Sequence, residues 1–175
     1  YENNITPAKK VNLAGQFYER VSEYVETDIT VTALAVSSDM DQFVICSCDL
    51  LYIQEYLVDM VRKIVSEKCE GLDPMKIIIN ATHTHTSIDY QRQENKYGSA
   101  LDVLKKYMPE DFSYIEKEKD GTIMQPEEAQ GFLAEKISDA IINAWNTRKK
   151  SFFSNAFGRA PIGMCRRAVY EDGTA

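Results

Sequence analysis

The stretch that decides the fold runs from residue 43 to residue 82, FVICSCDLLYIQEYLVDMVRKIVSEKCEGLDPMKIIINAT. It opens with a short continuous apolar run and closes with another at residues 75–82, and such runs are typical of strands buried on both faces. Between them, from Gln54 to Lys68, apolar residues recur at a spacing of 3.6, which predicts an amphipathic helix that stops before Gly71. This order predicts a right-handed βαβ unit with two parallel strands.

The flanking sequence extends this unit. DITVTALAVSS (28–38) alternates apolar and polar residues, which predicts a half-buried strand joined to the next by a turn at 38–42. A second helix is predicted over 126–149, with Pro126 in its first turn and basic residues 148–150 at its negative end. Residues 151–161 and 164–170 are further strand candidates. We predict one α/β domain over residues 1–175, with a mixed sheet and flanking helices.

A long polar segment, residues 87–125, interrupts this pattern. It predicts a loop of the lid or binding type, with room for a short helix over residues 99–107. Both ends of the chain are abrupt: the first ten residues show neither an initiating Met nor an apolar signal segment, and a hairpin turn at 171–173 has no strand after it. We expect the sequence to be an incomplete part of a larger domain, and its compartment stays open.

Composition narrows the class of partner. Of the 175 residues, 44% are hydrophobic and 27% are charged, which is typical of soluble globular proteins. The formal net charge of −7 argues against nucleic acid and against an anionic membrane surface as partners, since both require a basic face. No apolar run has the length of a transmembrane segment.

The cysteines do not form a zinc-finger pattern. Cys46 and Cys48 are two residues apart on a predicted strand, so they point to one face and are expected in the core, with a Cys-x-Cys metal site as the less favoured reading. The four cysteines in the chain leave the redox compartment open.

The chain's only two histidines, His83 and His85, lie in NATHTHTS (80–87), directly after the second buried strand. Asp49 follows the first buried strand, and carboxyl ends of neighbouring parallel strands meet at one sheet edge, where open α/β sheets place their sites. We therefore expect Asp49 and both histidines to lie close together. In an extended backbone, His-x-His places both rings on one side.

Three readings fit this histidine pair: two ligands of one metal, one ligand beside an acid/base group, or polar residues that merely satisfy a strand end. Zinc takes about four ligands, three of them from protein in catalytic sites, and the chain offers His83, His85 and Asp49. Asp49 is equally well read as a cap or turn residue. Asp89 and Tyr90 fit a pocket lining or an ordinary loop, and Arg166 and Arg167 fit an anion site or the surface.

The segment NATHTHTS resembles the zinc-associated Thr-His-Thr-His-Ser segment of the neutral/alkaline (non-lysosomal) ceramidases, near the start of their catalytic domain. ITVTALAV, QFVICSCDLLYI and the long helix near Trp145 match the order of elements in that family. The resemblance covers about residues 5–170, and only the Thr-His-Thr-His segment is specific.

The resemblance implies a zinc-dependent amidase in which a metal-activated water attacks an amide carbonyl. By position, His83 would be the zinc ligand and His85 a close neighbour that orients water or substrate. The family's other ligands, a second histidine, a glutamate and a tyrosine, are expected beyond Ala175. Asp49 is our candidate for fixing the histidine tautomers.

This chain departs from the family pattern in two places. Residues 86–89, Thr-Ser-Ile-Asp, replace the usual Ser-Gly-Pro at the rim of the lipid site, and Thr32 stands where ceramidases carry an Arg. The substrate is therefore open between a lipid and a smaller amide. The alternatives are another metal-dependent hydrolase, or a non-catalytic module that binds a small molecule and has lost its metal.

Overall fold

The computed structural model describes residues 1–15, 20–91, 107, 121–160, 162–163 and 169–174. The strands are β1 Glu2–Asn4, β2 Lys10–Val11, β3 Thr30–Ser37, β4 Gln42–Cys48, β5 Ile77–Ala81 and β6 Ile123–Met124. The helices are α1 Glu55–Lys68 and α2 Pro126–Asn146, and a 3₁₀ turn covers Pro74–Lys76. Within these residues no helix has the length and apolarity needed to cross a membrane.

The main sheet is mixed, as predicted, with the order β1-β3-β4-β5. β4 and β5 are parallel neighbours joined by α1, which confirms the βαβ unit, whereas β1 and β4 both run antiparallel to β3. Strand β1 is not among the predicted strands. Its three residues carry little β propensity, and its pairing with β3 is non-local. A separate parallel pair joins β2 and β6.

Helices α1 and α2 cover one face of this sheet and pack against each other. From α1 the buried residues are Leu57, Val61 and Val65, and α2 adds a longer stripe that includes Leu133, Ile137 and Ile141. Each such side chain stabilises the fold by about 1.5–3 kcal/mol when fully buried. Cys46 and Cys48 lie fully buried in the same layer, as predicted.

The opposite face of the sheet is open in the described structure. Leu34, Ile45 and Ile78 lie side by side in register there and are 61%, 40% and 57% exposed, and Phe43 is 38% exposed. The prediction that β4 and β5 are buried on both faces is therefore wrong for the described part of the chain, because both helices lie on the same side.

Helix α2 ends three residues earlier than predicted. The Thr147 hydroxyl donates to the carbonyl of Asn143 at 2.7 Å, and the backbone of Thr147 leaves the helical region. Arg148 thus lies outside the last turn, but its guanidinium stacks on the Trp145 ring and donates to the Trp145 carbonyl. Arg148 therefore still provides a hydrogen-bond donor to a carbonyl in the last turn of α2.

Two further predictions are corrected, and two others lie largely outside the described residues. Residues 151–160 form no strand and are exposed, because they pair with no described strand. The start of the predicted lid is not a polar loop: residues 87–90 are buried, and Gln130 of α2 donates to the Tyr90 carbonyl at 2.9 Å. The predicted helix over 99–107, apart from residue 107, and residues 164–168, with Arg166 and Arg167, lie outside the described residues.

Candidate metal centre at the carboxyl edge of the sheet

The parallel pairing of β4 and β5 brings the predicted site residues to one edge. Cys48 is in register with Ala81 at the last rung of the ladder. Beyond it, Thr82 N donates to the Cys48 carbonyl and His83 N to the Leu50 carbonyl, both at 2.9 Å. The two chains therefore continue side by side past the strands, and Asp49 and the histidine segment become neighbours as predicted.

The Asp49 carboxylate links three strand ends through hydrogen bonds. Its Oδ2 accepts hydrogen bonds from Thr30 N at 2.9 Å and Thr30 Oγ1 at 3.1 Å, and its Oδ1 accepts one from Thr82 Oγ1 at 3.1 Å. None of these bonds involves a histidine ring. The geometry thus gives Asp49 a role in holding β3, β4 and β5 together, and other groups set the histidine tautomers.

His83 sits at a strained turn. Its φ of +65° lies in the left-handed region, which costs a non-glycine residue roughly 1–2 kcal/mol. The histidine segment is therefore not extended, contrary to prediction. The turn places His83 Nδ1 2.8 Å from the Leu51 carbonyl. A carbonyl can only accept, so Nδ1 carries the proton and Nε2 presents its lone pair in the neutral ring.

His85 is held in the same way by a distant loop. Its Nδ1 lies 3.0 Å from the carbonyl of Gly15, which again leaves Nε2 as the free nitrogen. Gly15 has a φ of +84°, and a Cβ at this position would lie only 2.4 Å from His85 Nδ1. Glycine is therefore required both for the backbone conformation and for the close approach of the ring.

The two rings lie together on the exposed side of this edge. Their centroids are 5.1 Å apart, and their planes meet at 82°. Two imidazoles bound through Nε2 to one tetrahedral zinc, with Zn–N distances of about 2.0–2.1 Å, have centroids about 5 Å apart. The spacing therefore fits a shared metal, although an edge-to-face ring contact has the same spacing.

The donor set is incomplete within the described part of the chain. No group of three or more His, Cys, Asp and Glu side chains placed to hold a metal occurs there. The cysteine pair does not add to the set, because it lies inside the core. The neighbouring Cys46 thiol, together with burial, raises the pKa of Cys48, whereas metal ligation requires a thiolate.

Asp89 and Tyr90 belong to the interior rather than to the histidine edge. The Tyr52 hydroxyl donates to Asp89 Oδ1 at 3.1 Å, and Asp89 is 6% exposed. The Tyr90 hydroxyl donates to the Tyr52 carbonyl at 2.8 Å and accepts from Gln54 N at 3.0 Å. Burial raises the pKa of Tyr90, so this hydroxyl is a structural donor.

Sequence reasoning missed the two carbonyls and the glycine that orient the rings. Leu51 and Gly15 act through main-chain oxygens, which leave no mark in residue identity, and Gly15 is 70 residues from His85. Gly15 is visible only as a turn residue. Arg20, whose Nη2 donates to the His85 carbonyl at 3.1 Å, was also missed.

Comparison of the chain with protein-family models, with curated proteins and with solved structures finds no significant match. The resemblance to the ceramidases therefore depends only on the residues quoted above.

Proposed function

We propose that this chain contributes His83 and His85 to the zinc site of a hydrolase that cleaves an amide (N-acyl) bond, as in the neutral ceramidases that it resembles. The observation that supports this most strongly is the hydrogen bonding of the rings. Both Nδ1 atoms are tied to main-chain carbonyls, and both Nε2 atoms are left at an exposed edge. Metal-ligating histidines are almost always oriented by such a bond on the other ring nitrogen.

In this proposal His83 would be the first ligand, because the Leu51 carbonyl and the left-handed turn fix its ring most closely. His85 would be the second ligand or would hold a proton between water and the leaving amine. Asp49 would act as a positioning residue that keeps the two strand ends in place. Zinc, when bound, would lower the pKa of its bound water to about 7 and would polarise the amide carbonyl.

The test is amide hydrolysis by the full-length protein, stripped with a chelator and then resupplied with zinc. An N-acyl p-nitroanilide should be cleaved in proportion to the zinc bound. His83→Ala should lose both zinc and cleavage. Thr84→Ala, in the same segment, removes only a hydroxyl that bonds Thr86 at 3.0 Å and should keep both.

The other outcomes separate the alternatives. Cleavage of esters or phosphoesters but not of amides, with zinc bound, would favour another metal-dependent hydrolase. Specific binding of a small molecule without any zinc would favour a non-catalytic module. Full activity of His83→Ala would contradict the proposed site.

A further inference from the structure

A cavity of about 470 Å³ lies beside the histidine segment, within the range of small-molecule sites. Its walls come from residues 6–11, 13, 20–27, 29 and 86–88. Val11, Leu13 and Ile29 give it an apolar lining, and Arg20, Thr86 and Ser87 form its polar end. This polar end adjoins His85, because Thr86 follows that residue and Arg20 binds its carbonyl.

Two residues that line this cavity each have a buried polar atom with no hydrogen-bond partner among the described residues. These atoms are Arg20 Nε and Ser87 Oγ, and Ser87 is only 1% exposed. Leaving a buried donor unpaired costs about 1–3 kcal/mol. Asn12 Oδ1 and Arg62 Nε are also unpaired, but those residues do not line the cavity. Arg20 and Ser87 thus keep hydrogen-bonding capacity that the described residues do not use, and of the two only the half-buried Arg20 is accessible to a ligand.

The charge of Arg20 is also unused. Its guanidinium is oriented by the bond to the His85 carbonyl, and no carboxylate of the described residues lies within ion-pair distance. Lys9, which lines the same cavity, is already paired with Glu128 at 2.7 Å. Glu23 and Glu26 lie on the cavity wall but are exposed and make no ion pair with Arg20. A guanidinium fork matches the geometry of a carboxylate.

We propose that this cavity is the substrate subsite, and that the substrates are N-acyl amino acids with an apolar side chain. The α-carboxylate would bind the Arg20 guanidinium, the side chain would fill the apolar part, and the amide would then lie next to His85. This inference rests on the proposed amide hydrolysis, since it names the substrate class of that same site.

Binding, measured without catalysis, tests this directly. Zinc-free full-length protein is titrated with N-acetyl-L-leucine and with N-acetyl-L-leucinamide, which differ in the carboxylate, and affinities are read by calorimetry. The acid should bind on the order of ten-fold more tightly than the amide, as expected for one charge-assisted contact. Arg20→Gln should abolish this preference and Arg20→Lys should keep part of it. Lys10→Gln, a cation on the same cavity wall, should leave it intact.

Equal affinity for the two probes, or an unchanged preference in Arg20→Gln, would overturn the proposal. A preference lost equally in Lys10→Gln would overturn the assignment to Arg20. If Arg20→Gln does not fold, Arg20→Lys should still bind the acid less selectively than the wild type does, and an unchanged preference would count against the subsite. Loss of zinc and hydrolysis with the preference retained would contradict only the proposed function, because the titration contains no metal.

Discussion

Asp49 and the histidine pair come from neighbouring strand ends at one edge of the sheet, yet their hydrogen bonding differs. Both carboxylate oxygens of Asp49 are bonded within the protein, to Thr30 and Thr82. Within the described residues, each histidine ring is bonded at one nitrogen only, and both histidines are exposed. Asp49 therefore stabilises the fold through its own hydrogen bonds. Each histidine, in contrast, is positioned by one hydrogen bond and has a second ring nitrogen without a partner among the described residues.

Tyr90 belongs with Asp49 in this comparison. It follows the histidine segment by a few residues, but its ring is 1% exposed and its hydroxyl both donates and accepts within the protein. Substitutions of Asp49 and Tyr90 should therefore change stability, whereas substitutions around the histidine pair should change ligand binding. Substitutions at Asp49, Gly15 and Tyr90 test this difference between stabilising and ligand-binding groups, in order of decreasing expected change in stability.

Asp49→Ala should lower the free energy of unfolding by about 2–3 kcal/mol, because it leaves the donors of Thr30 and Thr82 unpaired where three strands meet. Urea unfolding at neutral pH measures this. Asp39→Ala, an exposed acidic residue in the β3–β4 turn, is the control and should change stability by less than about 0.5 kcal/mol. If Asp49→Ala were as stable as the control variant, the hydrogen bonds from Thr30 and Thr82 to Asp49 would not contribute to the stability of the fold.

Gly15→Ala and Gly71→Ala form a matched pair. Both glycines have positive φ, +84° and +79°, but a Cβ meets His85 only at Gly15. Gly71→Ala should cost about 1 kcal/mol from backbone strain alone. Gly15→Ala should cost about 1 kcal/mol more and should weaken zinc binding by roughly 10–100-fold, since the ring loses its orienting carbonyl.

Thermal unfolding and zinc titration of the full-length variants separate these two effects. Equal zinc affinity in both variants would break the link between Gly15 and His85.

Tyr90→Phe should cost about 1–2 kcal/mol at pH 8, because it leaves Gln54 N and the Tyr52 carbonyl without their partner. Burial raises the pKa of Tyr90 in the folded protein, while the unfolded chain ionises near the ordinary value of about 10. The wild-type advantage is therefore complete below about pH 10 and is lost as the pH rises further. At pH 11 the deficit of Tyr90→Phe should shrink by about 1 kcal/mol.

Urea unfolding at pH 8 and pH 11 gives this difference, with Tyr24→Phe, a 76% exposed tyrosine, as the control. A deficit that stays constant between the two pH values would show that the Tyr90 hydroxyl does not remain protonated.

Periodicity was sufficient to predict the βαβ unit, because the apolar spacing of α1 and the runs of β4 and β5 are local signals. It was not sufficient to predict the open face of the sheet, since a continuous apolar strand looks the same whether one face or two are covered. Phe43 and Ile78 show this. The pairing of β1 and the exposure of residues 151–160 depend on contacts far apart in sequence, which no local pattern records.

The candidate site was predictable to the same extent. Topology alone placed Asp49 beside His83 and His85, but the roles within that set depend on hydrogen bonds. The Leu51 and Gly15 carbonyls, rather than Asp49, bond the ring nitrogens, and any residue supplies a carbonyl. Residue identity therefore predicted which sheet edge carries the polar groups. Only the geometry distinguished Asp49, which stabilises the fold, from the two histidines, which each keep one ring nitrogen without a partner among the described residues.

We propose that the histidine pair is a zinc site whose loss leaves the fold intact. The most direct measurement is zinc content by elemental mass spectrometry on the full-length protein, for wild type and for His83→Ala/His85→Ala, with circular dichroism on the same samples. The account predicts about one zinc per wild-type chain, none in the double variant, and closely similar spectra and unfolding midpoints. No zinc in the wild type after reconstitution, or equal zinc in both proteins, would contradict it.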